Sequence, residues 1–190
     1  MSIHTHIATI RTMLADTFAA LDAWFDAPTD LRRYRPVDGG WTADEILEHT
    51  ALTNHYLLVL IQKGARKALH QAQTTNLTAE LAAYTFQADK LDEVGVLHSF
   101  AWVRPEHMEP SGNRPMPEVR QQLRQQLAEC NQILTDLRNG EGVLYRTTMS
   151  VNNLGKITVY EYVYFLAQHG RRHLMQLAQN EAEFRQQQKA

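Results

Sequence analysis

The strongest constraint in this sequence is a helical repeat, because four stretches place apolar residues at spacings of three and four. The stretches cover approximately residues 3–26, 42–64, 117–139 and 158–185. In the first, the apolar positions are Ile3, Ile7, Ile10, Leu14, Phe18, Leu21 and Phe25. No stretch alternates apolar and polar residues in the manner of a half-buried strand. The sequence therefore predicts an all-α fold, a four-helix bundle with one or two long crossing loops.

Local signals predict where these helices begin and end. Thr42 and Glu45 form a capping box, in which a threonine and a glutamate three residues later cap the first turn. Gly64 is the predicted end of this second helix. Pro117 suits the first turn of the third helix, and Gly140 follows its predicted end.

The connection between the second and third helices, from Arg66 to Met116, is long for a bundle. Residues 77–91 within it are predicted to contain a short helix. Residues 102–112 hold two prolines and a glycine and are interpreted as a loop. Long loops in compact domains often cover or bind ligands, so this connection is a candidate part of the site.

Composition narrows the class of protein. The 190 residues suit one domain, predicted to span 1–190. A net charge of -2 gives no reason to expect binding to nucleic acid or to an anionic membrane. Cys130 is a single cysteine on the apolar stripe of the third helix, and we interpret it as a core residue. With neither a signal peptide nor a membrane-spanning apolar run, the chain is predicted to be cytoplasmic.

Two of the nine histidines, His169 and His173, are four residues apart in the fourth predicted helix. This spacing separates them by roughly 40° around the helix axis, one turn apart on one face. Tyr162, Phe165 and Leu166 share that side, so the pair is predicted to point into the core. Buried imidazoles are costly unless something accepts their lone pairs, and a metal ion does so. The alternative is a pair at the rim, or core histidines bonded to the backbone.

The other histidines divide by helix face. His49 flanks the apolar stripe of the second helix, whereas His55 falls on the opposite face and is predicted to be a surface residue. His98 and His107 lie in the long loop, and either could approach the site. Three inward histidines would leave coordination positions for water or substrate, as in catalytic sites, whereas structural zinc sites usually have four protein ligands.

Two sequence blocks resemble those of a known family. Residues 40–49, GWTADEILEH, resemble the tryptophan-to-histidine block that opens the second helix of the DinB-like, or YfiT-like, metalloprotein superfamily. Residues 165–176, FLAQHGRRHLMQ, resemble its closing His-x-x-Arg-His-x-x-Gln block. The loops at 105–112 and 154–158 are also similar, and the resemblance extends from about Trp41 to Gln176.

The resemblance implies an up-down-down-up four-helix bundle, often a homodimer, with metal-ligating histidines at His49, His169 and His173. It implies a divalent transition metal, zinc or nickel. Characterised branches include S-transferases that use bacillithiol or mycothiol, and a thiol-dependent maleylpyruvate isomerase. Many relatives carry a His-Pro pair shortly before the position of Leu154, where this chain has Ser-Val-Asn-Asn.

Two functions follow as hypotheses. The first is an enzyme, either a metal-dependent S-transferase that joins a low-molecular-weight, bacillithiol-like thiol to a small electrophile, or a metal-dependent hydrolase. Gln176 and Arg172 would support the site, the arginine by holding a carboxylate of the thiol. The second is a non-catalytic, metal-stabilised stress-response or interaction module, closed by a fourth protein ligand such as His107 or a carboxylate.

Overall fold

A computed structural model describes residues 2–102 and 105–189, and it is mostly helical, as predicted. The long helices are α1 (Ile3–Ala23), α3 (Ala43–Gln71), α6 (Met116–Asp136) and α7 (Val159–Gln187). The short helices are α2 (Thr29–Arg32), α4 (Leu77–Ala83) and α5 (Ala88–Val94). Strands β1 (Arg146–Met149) and β2 (Gly155–Thr158) precede α7.

The apolar stripes of the long helices meet in a shared core. Helix α1 packs against α6 and α7, and α3 packs against the same two helices. In α1 the predicted stripe is buried at Ile7, Ile10, Leu14, Phe18 and Leu21. Cys130 is also fully buried, and burial raises the pKa of its thiol to about 12. Cys130 is therefore a protonated core residue at neutral pH, as its position in the apolar stripe indicated.

Helix α7 is buried on every side over residues 159–170, not on one face alone. Helices α1, α3 and α5 pack around it. Helix α7 begins with a capping box formed by Thr158 and Glu161, as α3 does at Thr42. None of the described helices is both long enough and apolar enough to cross a bilayer.

One boundary prediction needs correction. Gly64 lies inside α3, which continues to Gln71, and is not the end of the helix. A Cβ atom at this position would lie 3.2 Å from the ring of Tyr145 and 3.3 Å from Val159, so the glycine permits close packing. The prediction of a short helix within residues 77–91 is confirmed, since this stretch contains α4 and also the start of α5.

The described structure also contains a small two-stranded sheet, for which the sequence showed no alternating pattern. Strands β1 and β2 pair antiparallel, with Arg146 opposite Thr158 and Met149 opposite Gly155. Each strand has only four residues, and β2 buries two neighbours, Ile157 and Thr158, in succession. Because burial does not alternate along β2, the usual strand signal is absent from its sequence.

An ion-pair cluster ties α1 to α6 and makes stability depend on pH. Hydrogen bonds from Arg120, and then from Arg124, lower the pKa of Asp22 well below its usual range. A carboxylate with a depressed pKa stabilises the fold fully above its unfolded value of about 3.9 and loses this effect as the pH falls towards the folded value. Asp22→Asn is therefore expected to lower the free energy of unfolding by about 1 kcal/mol at pH 7, since the pair is partly exposed.

Urea unfolding at pH 7 and at pH 3 measures this effect. The loss in free energy of unfolding caused by Asp22→Asn should be smaller at pH 3 than at pH 7. Asp16→Asn, on the exposed face of the same helix, should be as stable as the wild type at both pH values. A deficit of equal size at the two pH values would contradict the assignment.

Candidate metal centre

Three histidines from two helices converge inside the protein. His49 lies in the second turn of α3, and His169 and His173 lie one turn apart in α7. They are 4%, 3% and 5% exposed. Each offers a ring nitrogen, and these nitrogens lie within 4.8 Å of one another, with 3.0 Å between the Nε2 atoms of His169 and His173. The structure thus brings together the three histidines that the sequence selected.

Neighbouring acceptors orient two of the three rings. The carbonyl oxygen of Met108 lies 2.7 Å from Nδ1 of His49, and Oε1 of Gln176 lies 3.1 Å from Nδ1 of His173. Because both partners are acceptors, we assign the hydrogen of each ring to Nδ1, which leaves the lone pair on Nε2. Metal-binding histidines commonly donate their other ring N–H in this way.

His169 supplies the test of whether a metal fits. Burial lowers the pKa of His169 well below its usual range, and the neighbouring His173, His49 and Arg172 lower it further. The ring is therefore neutral at pH 7, which is the form that binds metals. Its buried Nδ1 has no hydrogen-bond partner among the described residues.

Without an ion, His169 and His173 can share one hydrogen between their Nε2 atoms, 3.0 Å apart. With the hydrogen of each ring on Nδ1, the three rings would turn Nε2 lone pairs towards one point, where a cation would bind them. The cluster contains only imidazole donors, which suit zinc, nickel and copper. The residues present therefore fit a divalent transition metal ion.

Gln176 is expected to tune metal affinity through His173. Replacing Gln176 with leucine removes the acceptor that orients the ring, and such changes typically weaken metal binding by about tenfold. Competition with a chromogenic chelator measures the affinity. Gln179→Leu, an exposed position on the same helix, should leave it unchanged. Equal affinities for the two variants would contradict the role of Gln176.

The other candidate histidines lie elsewhere. His55 is exposed, as its position opposite the apolar stripe predicted. His107 is exposed and its ring lies 4.5 Å from that of Tyr56, while His98 is an exposed loop residue. Within residues 2–102 and 105–189, no fourth histidine, cysteine or carboxylate joins the cluster. This arrangement matches the open type of site and not one closed by His107.

Two cavities of opposite character meet at the histidines. The polar cavity, about 390 Å³, is bordered by Trp41, Arg172, His173 and Gln176. The apolar cavity, about 230 Å³, is bordered by residues of α3, α7, the long loop and the hairpin. His49, His169 and Trp102 border both cavities. Ligands in the two cavities would therefore approach the same point from different sides.

The long loop covers the centre, as its length suggested. The guanidinium of Arg172 stacks over the ring of Trp102 at 4.9 Å and donates a hydrogen bond to the carbonyl of Val96 at 2.6 Å. Asp92 of α5 accepts a hydrogen bond from the hydroxyl of Tyr164 at 2.6 Å, which holds this segment on α7. Trp102 is a residue whose place in the site the sequence did not reveal.

Glu48 is a second residue that sequence analysis missed. It is 1% exposed, and its carboxylate accepts hydrogen bonds from the backbone N–H groups of Ser111 and Gly112 and from the Ser111 hydroxyl, at 2.8–2.9 Å. These bonds hold the loop that carries Met108, whose carbonyl orients His49. The sequence does contain one signal for this role: Glu48 is a charged residue directly beside an inward-facing histidine. A carboxylate buried at such a position needs hydrogen-bond partners.

The fold and the site together define a helical protein with a buried three-histidine centre open to two cavities. A sequence profile of the DinB superfamily matches residues 9–177, a span that includes all three histidines. The chain therefore belongs to the DinB superfamily, which confirms the resemblance seen in the two sequence blocks. Searches of curated proteins and of solved structures returned no match.

Proposed function

We propose that this protein binds one divalent transition metal ion, zinc or nickel, through His49, His169 and His173. With it, the protein would transfer a low-molecular-weight thiol of the bacillithiol type to a small electrophile. The observation that carries the proposal is the convergence of three buried histidines where a polar and an apolar cavity meet. A site with three protein ligands and adjoining space is typical of catalytic centres.

Residues of the chain have separate roles in this proposal. A bound divalent ion lowers the pKa of a thiol or water and so supplies a nucleophile at neutral pH. Arg172, beside the polar cavity, would hold a carboxylate of the thiol, because a guanidinium pairs well with carboxylates. Burial lowers the pKa of Arg172, yet its guanidinium remains a cation at pH 7. Gln176 and the Met108 carbonyl keep two of the imidazoles in position.

The proposed reaction is a substitution at carbon. The sulfur of the thiol forms a bond to the electrophilic carbon, and the leaving group departs with the bonding electron pair. The proton of the thiol goes to solvent, so a thiol and an alkyl chloride give a thioether and HCl. Trp102 and Trp41 would exclude water from the reacting atoms.

Turnover with zinc- or nickel-loaded protein, bacillithiol and monochlorobimane tests this function. The fluorescent thioether should form faster than without protein, and His49→Ala should reduce the rate to the uncatalysed level. His55→Ala, an exposed position on the same helix, should keep the wild-type rate. Loaded protein that turns over neither bacillithiol nor mycothiol would refute the transferase. Ester hydrolysis without thiol would favour the hydrolase, and a metal-dependent melting temperature with neither reaction would favour a non-catalytic module.

We further propose that the four long helices form one up-down-down-up bundle, as the family resemblance implies. Side-chain pairs support it: Asp22 of α1 meets Arg120 near the start of α6, while Arg11 meets Asn131 further along, so these helices run antiparallel. Helix α3 is antiparallel to α7, since His49 near its start meets His173 and Gly64 meets Val159. A homodimer remains a prediction, which light scattering coupled to size-exclusion chromatography would test.

A further inference from the structure

We infer that the apolar cavity binds the electrophile, and that this electrophile is small, uncharged and apolar, such as one carrying a single aromatic ring or a short alkyl chain. This inference rests on the proposed transferase function and deepens it. The polar cavity would then take the charged body of the thiol. The two substrates would meet at the histidines that both cavities share.

The walls of the apolar cavity carry the first argument. They include Leu57 and Leu60 from α3, Met149 from β1, and Tyr162 and Phe165 from α7. The hydroxyl of Tyr162 donates to the carbonyl of Thr148 at 2.9 Å, so it already has its acceptor. An apolar group placed among these side chains would be removed from water, which favours binding in proportion to the area buried.

Charge carries the second argument. No Asp, Glu, Lys or Arg among the described residues borders the apolar cavity, while Arg172 borders the polar one. A charged ligand in the apolar cavity would lose its hydration without gaining a counter-ion from any residue that the structure describes. Among the described lining residues, an anionic thiol finds a counter-ion on the polar side, at Arg172. The two cavities therefore sort the substrates by charge.

The volume of the apolar cavity and one hydrogen-bond donor without an acceptor further limit the class of electrophile. A cavity of about 230 Å³ is smaller than the roughly 300–1,000 Å³ of sites for drug-sized ligands, which limits the occupant to about one ring. Trp102, at the junction of the cavities, has a buried Nε1–H with no acceptor among the described residues. An oxygen or halogen next to the reacting carbon would supply one.

Binding of an isosteric pair of unreactive probes tests the cavity without any turnover. We would titrate both metal-free and zinc-loaded protein with 1-tert-butyl-4-fluorobenzene and with 4-fluoro-N,N,N-trimethylanilinium, observed by fluorine NMR, so that repulsion by the ion is separated from the effect of the cavity. The two have the same shape, neither carries a metal-binding group, and only the second is charged. The neutral probe should bind at least about tenfold more tightly to the metal-free protein as well, because the cation would lose hydration in a cavity whose described residues carry no charge. Equal or tighter binding of the cation would overturn the inference.

Two neighbouring residues of α3 provide matched variants. Leu60 borders the apolar cavity, whereas Val59 borders a different groove, between α3 and α6. Leu60→Trp should fill the cavity and weaken binding of the neutral probe by at least about tenfold, while Val59→Trp should leave it within about twofold. If Leu60→Trp does not fold, Val151→Trp approaches the same cavity from the hairpin side. Unchanged binding in folded cavity variants would overturn the inference.

These results separate the inference from the function on which it rests. Probe binding that follows the expected pattern, without any thiol transfer, would reject the transferase and keep an apolar ligand site. Thiol transfer that prefers 4-(chloromethyl)benzoate over benzyl chloride would keep the transferase and reject the proposed electrophile class.

Discussion

Replacing His169 with alanine is expected to abolish metal binding, from about one ion per chain to almost none, because two imidazoles alone bind divalent metals weakly. The three rings form a triangle: the ring centroid of His173 is 4.4 Å from that of His169 and 4.9 Å from that of His49, and those of His49 and His169 are 5.4 Å apart. No fourth ligand among the described residues could replace it. Elemental analysis of the purified variant after zinc or nickel loading and desalting measures the loss.

Thermal unfolding gives an independent measure of the same prediction. A ligand present at 100 times its Kd stabilises the folded state by about 2.7 kcal/mol, so the metal should raise the melting temperature of the wild type. His169→Ala should lose this increase. The metal-free variant should remain folded, because the substitution removes a desolvated ring whose Nδ1 has no partner in the described structure.

The matched control is His55→Ala, since His55 is exposed on the same helix as His49. It should keep both the bound metal and the metal-dependent rise in melting temperature. Metal retained at wild-type stoichiometry by His169→Ala would reject the three-histidine centre.

Replacing Glu48 with alanine is expected to be the largest purely structural perturbation near the site. The change leaves the N–H groups of Ser111 and Gly112 without the carboxylate that accepts their hydrogen bonds. A hydrogen bond to a charged group contributes about 1.5–3 kcal/mol, and water can replace part of this at Ser111 and Gly112, which are exposed residues, so losing these bonds should lower the free energy of unfolding by about 2–4 kcal/mol. For a chain of this size that corresponds to a fall in melting temperature of roughly 5–15 °C.

Glu48→Ala should also weaken metal binding, because the released loop carries the Met108 carbonyl that orients His49. Loss of such an orienting bond costs about tenfold or more in metal affinity. Glu80→Ala, on the exposed surface of α4, should change neither property. Lower stability with unchanged metal affinity would show that the loop does not orient His49.

The helical periodicity of the sequence was sufficient to predict the long helices, but not their environment. Apolar spacing found α1, and the capping box found the start of α3. Periodicity reports one face of one helix, so it could not show that α7 is enclosed on every side over 159–170. That burial depends on which neighbours pack there, among them α5 from the long connection.

Gly64 illustrates the limit of local signals. Glycine often follows the end of a helix, and on that basis the sequence predicted that α3 stops there. The structure instead places the glycine where the ring of Tyr145 comes close to the helix. Tyr145 is 81 positions later in the sequence, so no local pattern could have distinguished the two uses of glycine.

For the site, the sequence by itself determined the His169–His173 pair, because spacing along one helix fixes which residues share a face. Helical geometry placed His49 only beside its stripe, and the family resemblance selected it as the third member. Tertiary structure alone decided that the three meet, because their convergence depends on how α3 packs against α7. It also decided the roles of Glu48, Met108 and Trp102, which act through contacts between residues far apart in the chain. Local sequence determines which residues share a helix face and where a helix is capped. A cavity, in contrast, exists only after separate elements have packed together.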